Sequence, residues 1–355
     1  MTVPHSAEHP SERPAGPNTG PNADHSADDT GAIPTVNDTA RAPSEEPAEM
    51  PRRALILGES AMALDLEQAY KRMGFDTRIG AASIAEVFYP GIIVTSGDAE
   101  DTIETVEEVS QRVGAVVAPS VEACRHTADR MAVRKQANEE LGLPTLDYEF
   151  AATPQEMHDA VERIGYPCVV KAPTSKDGEG FSFVHSDADL ADAWRAADRG
   201  LGQGAVVERY IDFDFEATIL AARSIDPSTG ELATWFCEPI GTRHRDGKLV
   251  ESWQPAPLPE AAMDNARSIA ARIVGAMASC GIFSVEMFVS GDDVYFSQVT
   301  PRPSRDGLVT FVTQRINQFD LQARATQRLP IDSTLISPGA VRFLEGHPSQ
   351  AALAA

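Results

Sequence analysis

The sequence has no long apolar run. Nowhere in its 355 residues does hydrophobicity persist over the roughly 20 positions that a membrane-spanning helix needs. Cysteine is scarce. Cys124, Cys168, Cys237 and Cys280 are far apart and form no C-x-x-C pair, which argues against a disulfide framework or a thiolate zinc site. Buried, reduced thiols in a cytosolic protein are the expectation. Positive charge is also short, with 30 Lys and Arg against 53 Asp and Glu and a net charge of −23. Such a chain repels phosphate backbones and anionic lipid, so nucleic acid and membrane surfaces are disfavoured as partners. The first residues lack the basic-then-apolar order of an export signal, and a cytoplasmic location follows.

Residues 1–50 lack aromatics altogether. They hold eight prolines and nine acidic residues against Arg13 and Arg41. Too little apolar surface is available there to offset the entropy of ordering, so this acidic, Pro-rich tail is expected to be disordered. His5, His9 and His25 are irregularly spaced and read as solvated side chains rather than a metal tract.

Order is expected from Arg52. Ala54–Gly58 reads as a buried strand entering a turn, Ala61–Met73 as a helix, Gly91–Val94 as a strand, the segment through Ile103, Val106 and Val109 as a helix, and Ala115–Val117 as a third strand. Alternation at this spacing predicts a small parallel sheet over 51–127. A second unit is expected over 128–330. It opens with a helix from Ala128 to Leu141, then a strand at Tyr148–Phe150, a helix over Pro154–Ile164 and the strand Pro167–Lys171. Further strands follow between Ala205 and Trp253, then a long helix from Pro259 to Ser279. The strands Phe283–Val289 and Val294–Val299 are joined by the hairpin turn Ser290-Gly291-Asp292-Asp293. A last helix is expected over Gln314–Arg328, and 331–355 reads as a remnant without pattern. The fold class is α/β (α+β), with no internal repeat.

Several residues stand where chemistry is done. Lys171 ends an apolar strand, where a lysine either snorkels to solvent or enters a cleft as a phosphate ligand. Gly178 and Gly180 in the following turn allow backbone amides to approach phosphate oxygens, although Asp177 and Glu179 beside them are repulsive. Glu208 closes another apolar strand. Asp214 and Glu216 share one face of Phe213-Asp214-Phe215-Glu216, suited to hydroxyl recognition or to a half-exposed edge. Glu286 lies inside the apolar Phe283–Val289, where a carboxylate is costly unless paired or bound to a cation. Its counterpart on the next strand is the neutral Gln298.

Together these segments resemble the ATP-grasp superfamily, and within it the formate-dependent glycinamide ribonucleotide transformylases (the PurT type). The resemblance runs through Asp129-Arg130, Glu139–Thr145, Ile164–Lys171, Phe213–Glu216, Glu251–Pro255, Val285–Val289 and Pro301-Arg302-Pro303, over about residues 120–330. It implies an ATP-grasp fold behind the small parallel-sheet domain, with ATP and Mg2+ as cofactors. Arg130, Lys171, Gly178, Gly180, Glu208, Ile211 and Glu216 would bind ATP, with Glu208 and Ile211 bracketing adenine and Glu216 holding ribose. Glu286 and Gln298 would hold the metal. Asp98, Arg302 and Arg305 fall on the substrate side. The implied reaction joins a carboxylate to an amine through an acyl phosphate, and the implied assembly is a homodimer.

The pattern also departs from the family. Glu179 stands where the glycine loop carries a lysine, and Gln298 where the second magnesium carboxylate belongs. Ala61 replaces a substrate-binding glutamate, and Ser304-Arg305 replaces His-Asp. The first domain is shortened between Gly80 and Gly91, and the family's C-terminal ribonucleotide-binding domain falls beyond residue 355. Three readings stand: a carboxylate–amine ligase with a different acceptor, a degenerate nucleotide-binding paralogue, and a true formate-dependent transformylase of purine biosynthesis.

Overall fold

A computed structural model describes residues 52–97, 99–174, 180–245 and 248–344. The expected tail over 1–50, Asp98, Gly178, Glu179 and the last residues of the expected remnant lie outside the described residues.

The first layer is a parallel sheet. Its elements are β1 (Arg53–Leu57), α1 (Ala61–Arg72), β2 (Asp76–Gly80), α2 (Ala85–Phe88), β3 (Ile92–Thr95), α3 (Ile103–Val113) and β4 (Val116–Ala118), with strand order β2-β1-β3-β4. Four strands form where three were expected. The extra one, Asp76-Thr77-Arg78-Ile79-Gly80, is a polar edge strand without the apolar run that marks β1 and β3. Side chains from both faces of β1 are buried, Ala54 and Ile56 under α1, Leu55 and Leu57 under α2 and α3. Ser60 caps α1 by accepting from the Ala63 amide, and Thr102 caps α3 in the same way.

Next come α4 (Val121–Ala128) and α5 (Arg130–Lys135), the latter continued by a wider turn over Gln136–Glu140. The helix expected from about Ala128 to Leu141 is present from Arg130, and the break at Asp129, whose carboxylate accepts from the Met131 and Ala132 amides, separates it from α4, which was not expected. The second sheet is antiparallel and comprises β5 (Tyr148–Ala151), β6 (Cys168–Lys171), β7 (Phe181–Val184) and β8 (Ala205–Arg209), in the order β5-β8-β6-β7. It is backed by α6 (Pro154–Ile164) and α7 (Leu190–Asp198). Their apolar stripes meet Cys168, Val170 and Val207 in one core.

The third sheet is larger and also antiparallel. It contains β9 (Phe215–Ile225), β10 (Leu232–Phe236), β11 (Ile240–Arg245), β12 (Lys248–Gln254), β13 (Gly281–Ser290), β14 (Asp293–Thr300) and β15 (Gly339–Arg342). One face packs on α8 (Glu260–Gly275), burying Ala217, Ile219, Val285, Met287 and Val289. The helix ends at Gly275, four residues short of the expected Ser279. The other face receives α9 (Thr310–Thr313) and α10 (Gln318–Thr326). The expected start of the last helix at Gln314 is corrected, since Asn317 caps α10 by accepting from the Phe319 and Asp320 amides and Gln314 is extended. Helix α10 also packs on the first sheet through Phe319 and Ala323. Among the described residues no helix is long and apolar enough to cross a membrane.

Candidate functional site

Strand alternation decides what the third sheet offers. Val285, Met287 and Val289 of β13 turn toward α8, so Glu286 and Phe288 turn the other way. Glu286 pairs in register with Gln298 on β14 and with Thr218 on β9, and Phe288 pairs with Glu216, which in turn pairs with Thr242 on β11. Two cross-strand rows, Gln298–Glu286–Thr218 and Phe288–Glu216–Thr242, therefore lie on one face. A bulge at Ser297 lets β14 keep Gln298 opposite Glu286 while Phe296 meets Met287 in the core.

Above this face opens a cavity of about 1200 Å³. The first sheet contributes the N-terminus of α1 at Ser60–Met62 and the loop Ser96–Gly97. The second contributes Lys171, Phe181 and Phe183, and Tyr210 and Phe213 line the wall between the sheets.

Three basic groups meet around Glu208. The Lys171 ammonium donates to Glu208 Oε2 at 2.6 Å, and Arg134 Nη2 donates to Glu208 Oε1 at 2.5 Å. Burial raises the Glu208 carboxyl, but the Arg134 guanidinium and the Lys171 ammonium outweigh it and hold the group at about 2. Burial pulls the Lys171 ammonium down, and Glu208 opposes that shift. Arg130 enters the same field between Glu208 and Glu286. Three basic groups thus surround one carboxylate, an arrangement with positive charge to spare for an anion.

Carboxylates form a second group. The Glu286 carboxyl is pushed up to about 7 by burial and by the nearby Asp306 carboxylate, against the pull of His244 and Arg130. Asp306 is raised by burial, while its hydrogen bond from Thr218 Oγ1 at 2.8 Å works the other way. Gln298 Nε2 donates to Glu286 Oε1 at 3.3 Å. His244 Nδ1 lies 2.6 Å from Glu216 Oε2. Burial lowers its imidazole, but the Glu216 carboxylate more than reverses this and the net shift is upward.

The segment after β14 closes the cavity on the side of the first sheet. Arg302 lies against Gly97, where any Cβ would come within 1.8 Å of its Nε; with a φ of +93° as well, the position favours glycine. The Arg305 guanidinium sits over the Phe343 ring at 5.2 Å. The buried Gln318 amide grips Ser304, accepting from its amide at 3.0 Å and donating to its carbonyl at 2.8 Å.

Of the residues expected at the site, Arg130, Lys171, Glu216, Glu286, Gln298, Arg302 and Arg305 all line this cavity. Glu208 and Ile211 are not among its lining residues, and Glu208 instead lies behind Lys171 as its counter-ion. Gly180 follows the stretch that includes Gly178, outside the described residues. A Cβ on Gly180 would meet that of Ala172 at 2.7 Å, so the start of β7 is pressed onto the end of β6. Sequence reasoning passed over Arg134, Thr218, His244 and Asp306.

Comparison with known proteins gives a consistent outcome. Residues 136–319 match the model of the ATP-grasp domain. The formate-dependent phosphoribosylglycinamide formyltransferase of Corynebacterium efficiens is 43% identical over 322 residues, covering 83% of this chain and 80% of the relative. The protein of the same name from Rhodococcus jostii is 47% identical over 251 residues, 70% of this chain and 61% of that one. Among solved structures, the Mycobacterium tuberculosis protein described as glycinamide-RNase-transformylase T aligns with a TM-score of 0.67 at 30% identity, covering 81% and 84% of the two chains. Carboxyaminoimidazole ribonucleotide synthase of Aspergillus clavatus, solved with ATP, aligns with a TM-score of 0.72 at 20% identity over 82% and 81%, a likeness of fold alone.

Proposed function

Because the chain belongs to the ATP-grasp superfamily, and within it to the family of formate-dependent phosphoribosylglycinamide formyltransferases, we propose that it joins a carboxylate to an amine at the expense of ATP. Formate and phosphoribosylglycinamide are the substrates that the names of its relatives specify. The observation that carries this reading is that the basic Arg130 and Lys171 and the oxygen donors Glu286, Gln298 and Glu216 line one cavity.

Nucleotide would lie with its phosphates among these groups. Lys171 and Arg130 would neutralise phosphate oxygens, and Glu216, steadied by His244, would accept from ribose hydroxyls. Glu286 and the amide oxygen of Gln298 are hard oxygen donors, which suits Mg2+. When bound, Mg2+ supplies charge neutralisation on the polyphosphate. An oxygen of the carboxylate substrate then forms a bond to the γ-phosphorus as the bond to the β-bridging oxygen breaks, giving ADP and an acyl phosphate. The amine attacks the acyl carbon, inorganic phosphate leaves, and the amine gives up one proton. The protein's part is orientation and the exclusion of water by Phe181, Phe183, Phe213 and Phe288 around the cavity.

A second reading is favoured by one observation. Arg305 and Ser304 stand on the acceptor side where the resemblance implies aspartate and histidine, and the reversed charge suits an acceptor bearing an anionic group there. ADP release from Mg-ATP and formate, with and without phosphoribosylglycinamide, distinguishes the two. Acceptor-dependent release supports the transformylase. No release with phosphoribosylglycinamide but turnover with an amino acid as acceptor supports the second reading. Absence of ATP binding sinks both.

A further inference from the structure

Glu286 and Gln298 leave the cation side with one carboxylate where paired carboxylates are expected. We propose that Asp306 supplies the second carboxylate of this cation site, facing Glu286 across Thr218. The inference rests on the reading of the cavity as a magnesium–nucleotide site.

The geometry is built from three strands and one turn. Glu286 is flanked in register by Gln298 on one side and by Thr218 on the other. Side chains directly opposite on adjacent strands lie in contact. Thr218 donates its hydroxyl to Asp306 Oδ2 at 2.8 Å, so Asp306 stands one hydrogen bond beyond the strand neighbour of Glu286. Both carboxylates line the same cavity, and Asp306 is only 7% exposed.

The turn that carries Asp306 is held firmly. Val309 packs with Leu220 and Ile240 on the same face of the sheet. Gly307 lies so close to Gln318 that a Cβ there would come within 2.1 Å of the amide oxygen. Gln318 in turn holds Ser304 at both backbone atoms. Asp306 is therefore placed by packing before any ligand arrives. Glu216 does not serve as the missing partner in this arrangement, since it stands in the next cross-strand row, opposite Phe288 rather than Glu286, and pairs with His244. Two buried carboxylates sharing one cavity repel, and a shared divalent cation removes that cost and adds oxygen ligands of the hard kind.

The test uses Mn2+ as the probe, titrated into the full-length protein with ADP and read by electron paramagnetic resonance. ADP affinity without metal is measured in parallel. Asp306→Asn keeps the size of the side chain and an oxygen for Thr218. It is expected to weaken Mn2+ uptake by about tenfold or more without weakening metal-free ADP binding. Adding Gln298→Glu to that variant is expected to recover the Mn2+ affinity. Equal Mn2+ affinity in Asp306→Asn and the parent would overturn the inference, and so would loss of ADP and Mn2+ binding together, which marks a folding role. If the parent itself takes up no Mn2+ with ADP, the reading of the cavity fails first, an outcome distinct from an insensitive Asp306→Asn.

Discussion

Arg134 and Glu208 form an ion pair of 2.5 Å, with side chains only 6% and 3% exposed, although 74 positions separate them in the chain. Lys171 shares the same carboxylate. Glu208 therefore carries the charge balance for two buried cations. Its replacement by Gln leaves both uncompensated and is expected to cost about 3–5 kcal/mol of stability. Urea unfolding of Glu208→Gln against the parent measures this, and a difference below about 1 kcal/mol would show that the pair behaves as a surface one.

Acid should remove the same contribution. The folded Glu208 carboxyl lies at about 2, below its ordinary 4.5, so its stabilisation is complete above the ordinary value and is lost as pH falls toward 2. The gap corresponds to roughly 3 kcal/mol. Unfolding free energy should drop between about pH 5 and about pH 2, and the drop should be smaller in Glu208→Gln. Equal slopes in both proteins would assign acid sensitivity to other carboxylates.

Lys171 faces the cavity as well as Glu208. A charge-assisted hydrogen bond to phosphate contributes about 1.5–3 kcal/mol, so Lys171→Ala should weaken ADP binding by at least about tenfold. Calorimetric titration reads this directly. Unchanged affinity would remove Lys171 from the nucleotide site.

His244 gives the cavity a pH response. Burial works against its protonation, but the Glu216 carboxylate raises the imidazole above the ordinary 6.5, so the protonated form persists to higher pH than in a free histidine and is lost as pH rises further. Losing that charge leaves Glu216, Glu286 and Asp306 less screened beside the polyphosphate. ADP affinity should fall on the alkaline side, and the His244→Gln variant should show a flatter profile. Parallel profiles would sever His244 from nucleotide binding.

Local signals were readable where sequence and environment agreed. The apolar runs at Ala54–Leu57 and Cys168–Lys171, and the Thr153 cap with Pro154 ahead of α6, each mark an element on their own. Glu286 stood out because a carboxylate interrupts an apolar strand. Expectation and structure part where a short-range cap resets the helix start, as at Asn317, where the short α4 lacks a strong apolar stripe, and where an edge strand such as β2 needs no apolar run. Asp306 carried no signal of its own, because its significance depends on Thr218, 88 positions away. Arg134 was hidden likewise, reading as an ordinary charge in the last turn of a helix.

The alternation along β13 has one more consequence. Val285, Met287 and Val289 fill the space beneath α8 while Glu286 and Phe288 take the opposite face. A slip of one residue against β9 would bury Glu286 under the helix and expose three core side chains, so such an arrangement is too costly to persist. Correct folding of the hydrophobic layer and correct aim of the Glu286 carboxylate are thus a single event. Core substitutions at Met287 would therefore register as altered cation affinity, without touching a polar atom.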